Sequence, residues 1–173
     1  MKNLTFLYLF ILLTIVSKAE VPYILNDGEL TQWHKVTLVI PGPQTSEYAK
    51  ENPFLDYKLE VTFTNGNKSY TVPGFYATDG NAAETSADAG NIWKVRFRPD
   101  EPGEWEYKIS FRKGKDIVVK KDGFGEPVVS ADGLEGSFTI DPSDKTGKDF
   151  RAKGRIVNGG EDTSISKIPK RYG

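Results

Sequence analysis

From Tyr57 to Thr64 every second side chain is apolar: Tyr57, Leu59, Val61 and Phe63 alternate with Lys58, Glu60, Thr62 and Thr64. A period of two puts one set of side chains on each face of an extended strand. Val36, Leu38 and Ile40 repeat the pattern, as do Trp93, Val95 and Phe97, and Trp105, Tyr107, Ile109 and Phe111. No stretch shows the 3.6-residue period of an amphipathic helix. The chain is therefore expected to be all-β, from strands with one buried and one solvated face.

The turn residues divide these strands. Pro41-Gly42-Pro43 ends the first, and residues 41–53 read as a polar connection. Asn65-Gly66 is a hairpin signal, because both residues tolerate the positive φ of a tight turn. Lys68 to Val72 returns as the partner strand, closed or bent by Pro73-Gly74. Residues 77–90 read as a loop. The strands around Trp93 and Trp105, with Pro99 to Gly103 between them, predict a hairpin whose aromatic faces point the same way. Ile117 to Val119 is a further short strand and Gly136 to Ile140 the closing one. About seven short strands with regular turns indicate an antiparallel, immunoglobulin-like β-sandwich, with a small closed barrel as the structural alternative.

Two flanks differ from this pattern. Met1-Lys2-Asn3 is positive, Leu4 to Val16 is almost wholly apolar, and Ser17-Lys18-Ala19 supplies small residues at a cleavage site. This predicts a secretory signal peptide over residues 1–19, cut between Ala19 and Glu20. The run is shorter than the ~20 apolar residues of a spanning helix. With the leader removed, no membrane association is expected, and the protein is expected to be secreted or periplasmic. After Asp141-Pro142 the chain turns polar and aperiodic. The expected division is a sandwich over 20–141 and, over 142–173, a linker or the truncated start of a missing catalytic barrel. A fragment, a truncated gene product and a natural stand-alone module remain open.

Composition narrows the chemistry. The chain has no cysteine, which removes disulfide staples, thiol catalysis and thiolate metal sites. His34 is the single histidine, so neither a His-dependent triad nor a multi-histidine zinc site can form within the chain. A net charge of −1 offers nucleic acid no electrostatic attraction.

Five segments together resemble the N-terminal β-sandwich domain DUF5060, across about residues 29 to 141. They are Trp33-His34-Lys35-Val36, Asn52-Pro53-Phe54-Leu55-Asp56-Tyr57 and Val72-Pro73-Gly74-Phe75-Tyr76, then Trp93-Lys94-Val95-Arg96-Phe97-Arg98-Pro99 and Pro102-Gly103-Glu104-Trp105-Glu106-Tyr107. Phe150-Arg151 and Lys153-Gly154 are similar to the family's path onward. That family precedes a glycoside-hydrolase-type (β/α)₈ barrel in secreted bacterial enzymes. The resemblance implies an accessory domain whose partner is a catalytic barrel, in an enzyme that degrades polysaccharide. The barrel carries the family's catalytic carboxylates, so none transfers to this chain.

The residues themselves offer modest candidates. Glu104 and Glu106 share one strand face, about 6–7 Å apart by strand geometry. A solvated face paired to Lys94, Arg96 or Arg98 is the expectation. Asp79, Glu84 and Asp88 share one loop, but their spacing fits no calcium loop. Glu47 and Glu51 lie in the other long connection. Trp93 and Trp105 are expected in the core. Trp33, Tyr48 and Tyr76 are the candidates for exposed aromatics, available to a glycan or a partner domain. Arg96 and Arg98 are expected to face outward and His34 to lie on the surface. No catalytic residue, metal ligand or cofactor is expected, and no substrate-binding residue is assigned. The rival function is a stand-alone carbohydrate-binding or adhesion module.

Overall fold

The computed structural model describes residues 25–121 and 124–154. The predicted signal peptide and the tail beyond Gly154 lie outside the described residues. The chain forms β1 (Leu25–Asp27), β2 (Val36–Ser46), β3 (Tyr57–Asn65), β4 (Lys68–Pro73) and β5 (Phe75–Tyr76), then one helical turn, α1 (Ala82–Thr85). It continues with β6 (Ala89–Phe97), β7 (Gly103–Lys113), β8 (Glu126–Pro127) and β9 (Glu135–Ile140). Two antiparallel sheets result. One has the order β1-β2-β6-β5; the other has β4-β3-β7, with β8 and β9 both pairing with β7. These orders are those of the immunoglobulin sandwich, A-B-E-D against C-F-G with an added edge strand. The sheets are not closed into a barrel.

Alternation decides which faces meet. Val36, Leu38, Ile40, Trp93, Val95 and Phe97 point inward from the first sheet. Leu59, Val61, Phe63, Trp105, Ile109 and Phe111 do so from the second. Aromatic rings interlock between the sheets. Phe97 stacks on Phe63 at 4.2 Å and meets the edge of Trp105 at 4.9 Å, while Trp93 meets Phe111 at 4.8 Å. Such pairs add directional preference to the area that they bury.

Several expectations need correction. The strands around Trp93 and Trp105 are not a hairpin: β6 lies in one sheet and β7 in the other, and residues 98–102 cross between them. Their aromatic faces point toward each other across the core. Pro41-Gly42-Pro43 does not end the first strand. β2 continues to Ser46, and its register with β6 breaks between Pro41 and Thr45. This irregularity lets a proline-bearing stretch pass where a regular ladder would need its N–H. Gly42 is required there, since a Cβ would lie 2.5 Å from Trp93 Cδ1 and 2.9 Å from the Phe111 ring. The Tyr76 hydroxyl donates to the Thr45 and Gly90 carbonyls at 2.7 and 3.1 Å, fastening β2 to β6 where pairing resumes. Ile117–Val119 is a 3-10 turn that buries only Ile117.

Other expectations hold. Asn65 pairs with Lys68 around the Gly66-Asn67 turn. Pro73 ends β4, and Gly74 carries the chain to the other sheet so close to Leu59 that a Cβ would sit 2.4 Å from its side chain. β9 closes the sheet against Gly103 to Lys108.

The strand directions define two poles. One holds Pro99, Gly103 and Asp141; the other holds the start of β3 and the end of β7. β7 runs the distance between them, roughly 33 Å for its length.

Candidate functional site

Glu104 and Glu106 lie exposed on the outer face of the second sheet, opposite Thr139 and Ser137 of β9. Lys94, Arg96 and Arg98 lie on or just beyond β6, in the other sheet, so the expected pairing across the strands is not made. Arg96 faces outward as expected, its guanidinium 5.1 Å from the centre of the Phe75 ring. Glu106 shares a shallow hollow of about 610 Å³ with Thr62, Thr64, Lys108, Glu135 and Ser137. Sequence reasoning missed Glu135. Register makes it the diagonal neighbour of Glu106, about 7–8 Å away between backbones. Two carboxylates on one face of a sheet are the raw material of a glycosidase pair. The surroundings are not those of such a pair: Glu135 is exposed and held by Lys108 at 2.6 Å. A general acid needs burial or a like charge to retain its proton.

Two of the loop carboxylates, Asp79 and Glu51, are engaged in local bonds. Asp79 accepts from Thr85 Oγ1 at 2.6 Å and Asn81 N at 2.8 Å, and these bonds hold its carboxyl below the usual range. Glu84 and Asp88 are exposed, and among the described residues no three metal-ligating side chains cluster. Glu51 meets Lys113 at 2.8 Å and accepts from the Tyr57 hydroxyl at 3.2 Å. Glu47 is exposed, its amide donating to the Asp88 carbonyl.

Of the three candidate aromatics, Tyr48 is 82% exposed, Trp33 half-buried and Tyr76 buried. His34 is buried as well, contrary to expectation. The turn that closes from Thr31 to His34 brings the ring back under Gln32 and Glu29. Its Nδ1 lies 3.0 Å from the Gln32 carbonyl oxygen. Nε2 faces the Glu29 carboxylate at 3.1 Å.

Two surfaces stand out, one near each pole. Near the β3 start, Phe54 and Phe75 line a groove of about 390 Å³ with Lys58, Glu60 and Val118. Phe54 is 51% exposed and Phe75 38%. The groove's back wall is buried aromatic: Tyr76 meets Phe54 edge-on at 6.1 Å and Trp93 at 5.1 Å, and Tyr57 lies 5.4 Å from Trp93. Lys58 and Glu60 pair at 3.3 Å. The loops beneath are tied by Asp56, whose carboxylate accepts from Asp116 N and Asn52 N at 2.8 and 2.9 Å. The Asp116 bond, then the Asn52 bond, hold this carboxyl below its ordinary range against the effect of burial.

At the other pole the chain leaves the sandwich. Asp141 bridges to Thr31, its amide donating to the Leu30 carbonyl and its carbonyl accepting from Gln32 N, both at 2.8 Å. Residues 142–154 then stay against this end. Lys145 approaches Glu29 at 4.0 Å, and Gly154 lies over the Trp33 ring, 3.2 Å from its ideal Cβ to Cζ2. Trp33 holds a left-handed φ of 66°, its amide donating to the Pro99 carbonyl at 2.9 Å. Asp149 receives Arg151 through Nη2 at 2.7 Å, which lowers its pKa to about 2. Phe150, beside this pair, is 86% exposed.

A two-sheet sandwich with immunoglobulin strand order defines the class. Residues 29–112 match the family described as a domain of unknown function, DUF5060. No curated protein matches the chain. A similar solved structure, from Bacteroides vulgatus ATCC 8482, is described as a "putative glycoside hydrolase". The identity is 30% and the TM-score 0.43; the match covers 66% of this chain and 16% of that one.

Proposed function

We propose that this sandwich is a non-catalytic accessory domain of an extracellular polysaccharide-degrading glycoside hydrolase, packed on a (β/α)₈ barrel that it supports. The match of residues 29–112 to the DUF5060 family carries the reading, through the company that family keeps. The exit pole supports it. Residues 142–154 leave the last strand and remain against Trp33 and Glu29, presenting Phe150 to solvent. A following domain would find there a fixed approach and an apolar anchor. On this reading residues 142–154 are the seat of that domain rather than a free linker. The test is the gene beyond codon 173: a barrel-coding frame is expected, and its absence in every frame overturns the reading. Export belongs to the same proposal. N-terminal sequencing of the secreted protein is expected to begin at Glu20 or close to it, and retention of Met1 would refute cleavage. The second reading, a stand-alone glycan-binding module, draws on the aromatic groove near the opposite pole.

A further inference from the structure

We infer that the hollow between Lys35 and Arg98, at the exit pole, is a binding site for a uronate residue of an acidic polysaccharide. The inference rests on the polysaccharide setting proposed above and adds to it a site and a ligand class. The hollow, about 340 Å³, is lined by Lys35, Arg98, Arg151, Glu29, His34 and Trp33. Val36 and Phe97 are the last paired residues of the β2–β6 ladder at this end. One rung further, the same register sets Lys35 opposite Arg98, about 5 Å apart between backbones. Both side chains are exposed. Like charges directly opposite each other repel, so the pair costs stability unless an anion lies between them. The nearby charges are already engaged. Glu29 faces His34 Nε2 at 3.1 Å and Lys145 at 4.0 Å, and Arg151 meets Asp149 at 2.7 Å. Among the described residues, neither Lys35 nor Arg98 makes an ion pair. The hollow therefore presents two cations to a ligand, and the Arg98 guanidinium is a planar fork that matches a carboxylate.

The other lining residues select among anions. Glu29 stands in the same hollow and repels a ligand that is charged on every side, as sulfate, phosphate or a run of acidic side chains is. A uronate carries one carboxylate on a ring of hydroxyls, which donate to an acceptor such as Glu29. The half-buried Trp33 supplies an aromatic side chain for the apolar C–H face of that ring. Its left-handed φ of 66° is unusual for a bulky residue. Arg151 belongs to the exit segment, so the hollow borders the place proposed for the following domain. It would hold an acidic stretch of polysaccharide beside the enzyme without taking part in cleavage.

The test is calorimetric titration of the purified protein with hexagalacturonate, mannohexaose and hexaglutamate. Hexagalacturonate is expected to bind, more weakly as salt is added, and to raise the melting temperature. Lys35→Ala and Arg98→Ala are each expected to weaken it about tenfold or more. Their melting temperatures without ligand are expected to equal or exceed the parent's, because each removes a like-charge contact. Arg98→Lys, which keeps the charge, is expected to retain measurable binding. Lys108→Ala, which removes a cation from the other sheet, is expected to leave binding unchanged. Absence of hexagalacturonate binding, equal binding of mannohexaose, or binding that survives both alanine substitutions overturns the inference. Tighter binding of hexaglutamate also overturns it and makes an acidic protein segment the occupant. A melting temperature lowered in both alanine variants would make the pair structural and overturn it too. None of these outcomes touches the accessory-domain reading, which is decided by the downstream gene and by sugar release.

Discussion

Trp105 shows how much one inward position carries. It is fully buried, its indole N–H donates to the Glu101 carbonyl at 3.0 Å, and Phe97 and Tyr70 pack on its ring. Trp105→Ala removes that area and leaves a cavity between two sheets that cannot both collapse, so a loss of about 3–5 kcal/mol is expected. Glu104→Ala, one residue earlier and on the solvent face, is expected to change stability by no more than about 0.5 kcal/mol. Chemical denaturation of both variants checks the pair, and equal effects would contradict the face assignment. Positions like these were legible in the sequence because alternation alone decides them. His34 was not, since its burial comes from the Thr31–His34 turn rather than from strand period. Tyr76 was read as a loop-end aromatic, yet it sits in a two-residue strand too short to show any period.

Among the elements, strand existence was legible and partnership was not. β6 and β7 adjoin in sequence, and a short turn between alternating strands reads as a hairpin. Only packing of both aromatic faces into one core sends them to opposite sheets. The same limit applies to Pro41-Gly42-Pro43, where turn chemistry suggested an end and the structure has an irregular ladder that continues. Gly42→Val tests that account: its side chain would be driven into Trp93 and Phe111, at an expected cost of about 1–3 kcal/mol, and a neutral result by denaturation would contradict it. The loops beneath the groove add a pH dependence. The Asp56 carboxyl is lowered in the folded state by the Asp116 and Asn52 amides. Its contribution is therefore complete above the ordinary aspartate pKa of about 3.9 and is lost as pH falls through the lower folded value. Melting temperature is expected to be steady near neutrality and to fall below about pH 4, with a shallower fall in Asp56→Asn. An unchanged slope in that variant would remove Asp56 from the account.

Across the whole molecule, the two surfaces with potential function lie near opposite poles, and both draw on residues that the sequence displayed without marking. Phe54 and Phe75 stand in segments that carry the family resemblance, but Phe75 takes its place after the chain's step over Leu59 at Gly74, and Phe54 in a turn closed by Asn52. Carboxylate placement was more legible: Glu104 and Glu106 fall where alternation puts them. Their geometry leads to the expectation that this chain hydrolyses no glycoside. Glycosidic cleavage needs one carboxyl kept protonated opposite a second, with the sugar between them and water controlled. Glu106 and Glu135 are diagonal neighbours, yet both stand exposed on an open sheet face and Glu135 is engaged by Lys108 at 2.6 Å. The loop carboxylates Asp79 and Glu51 are committed to hydrogen bonds and an ion pair that stabilise their charged forms. The purified protein, incubated with plant and algal polysaccharides and with aryl glycosides, is therefore expected to release no sugar. Release that Glu106→Gln or Glu135→Gln abolishes, in variants that keep the parent's melting temperature, would make the outer face of the second sheet an active site and overturn the accessory role.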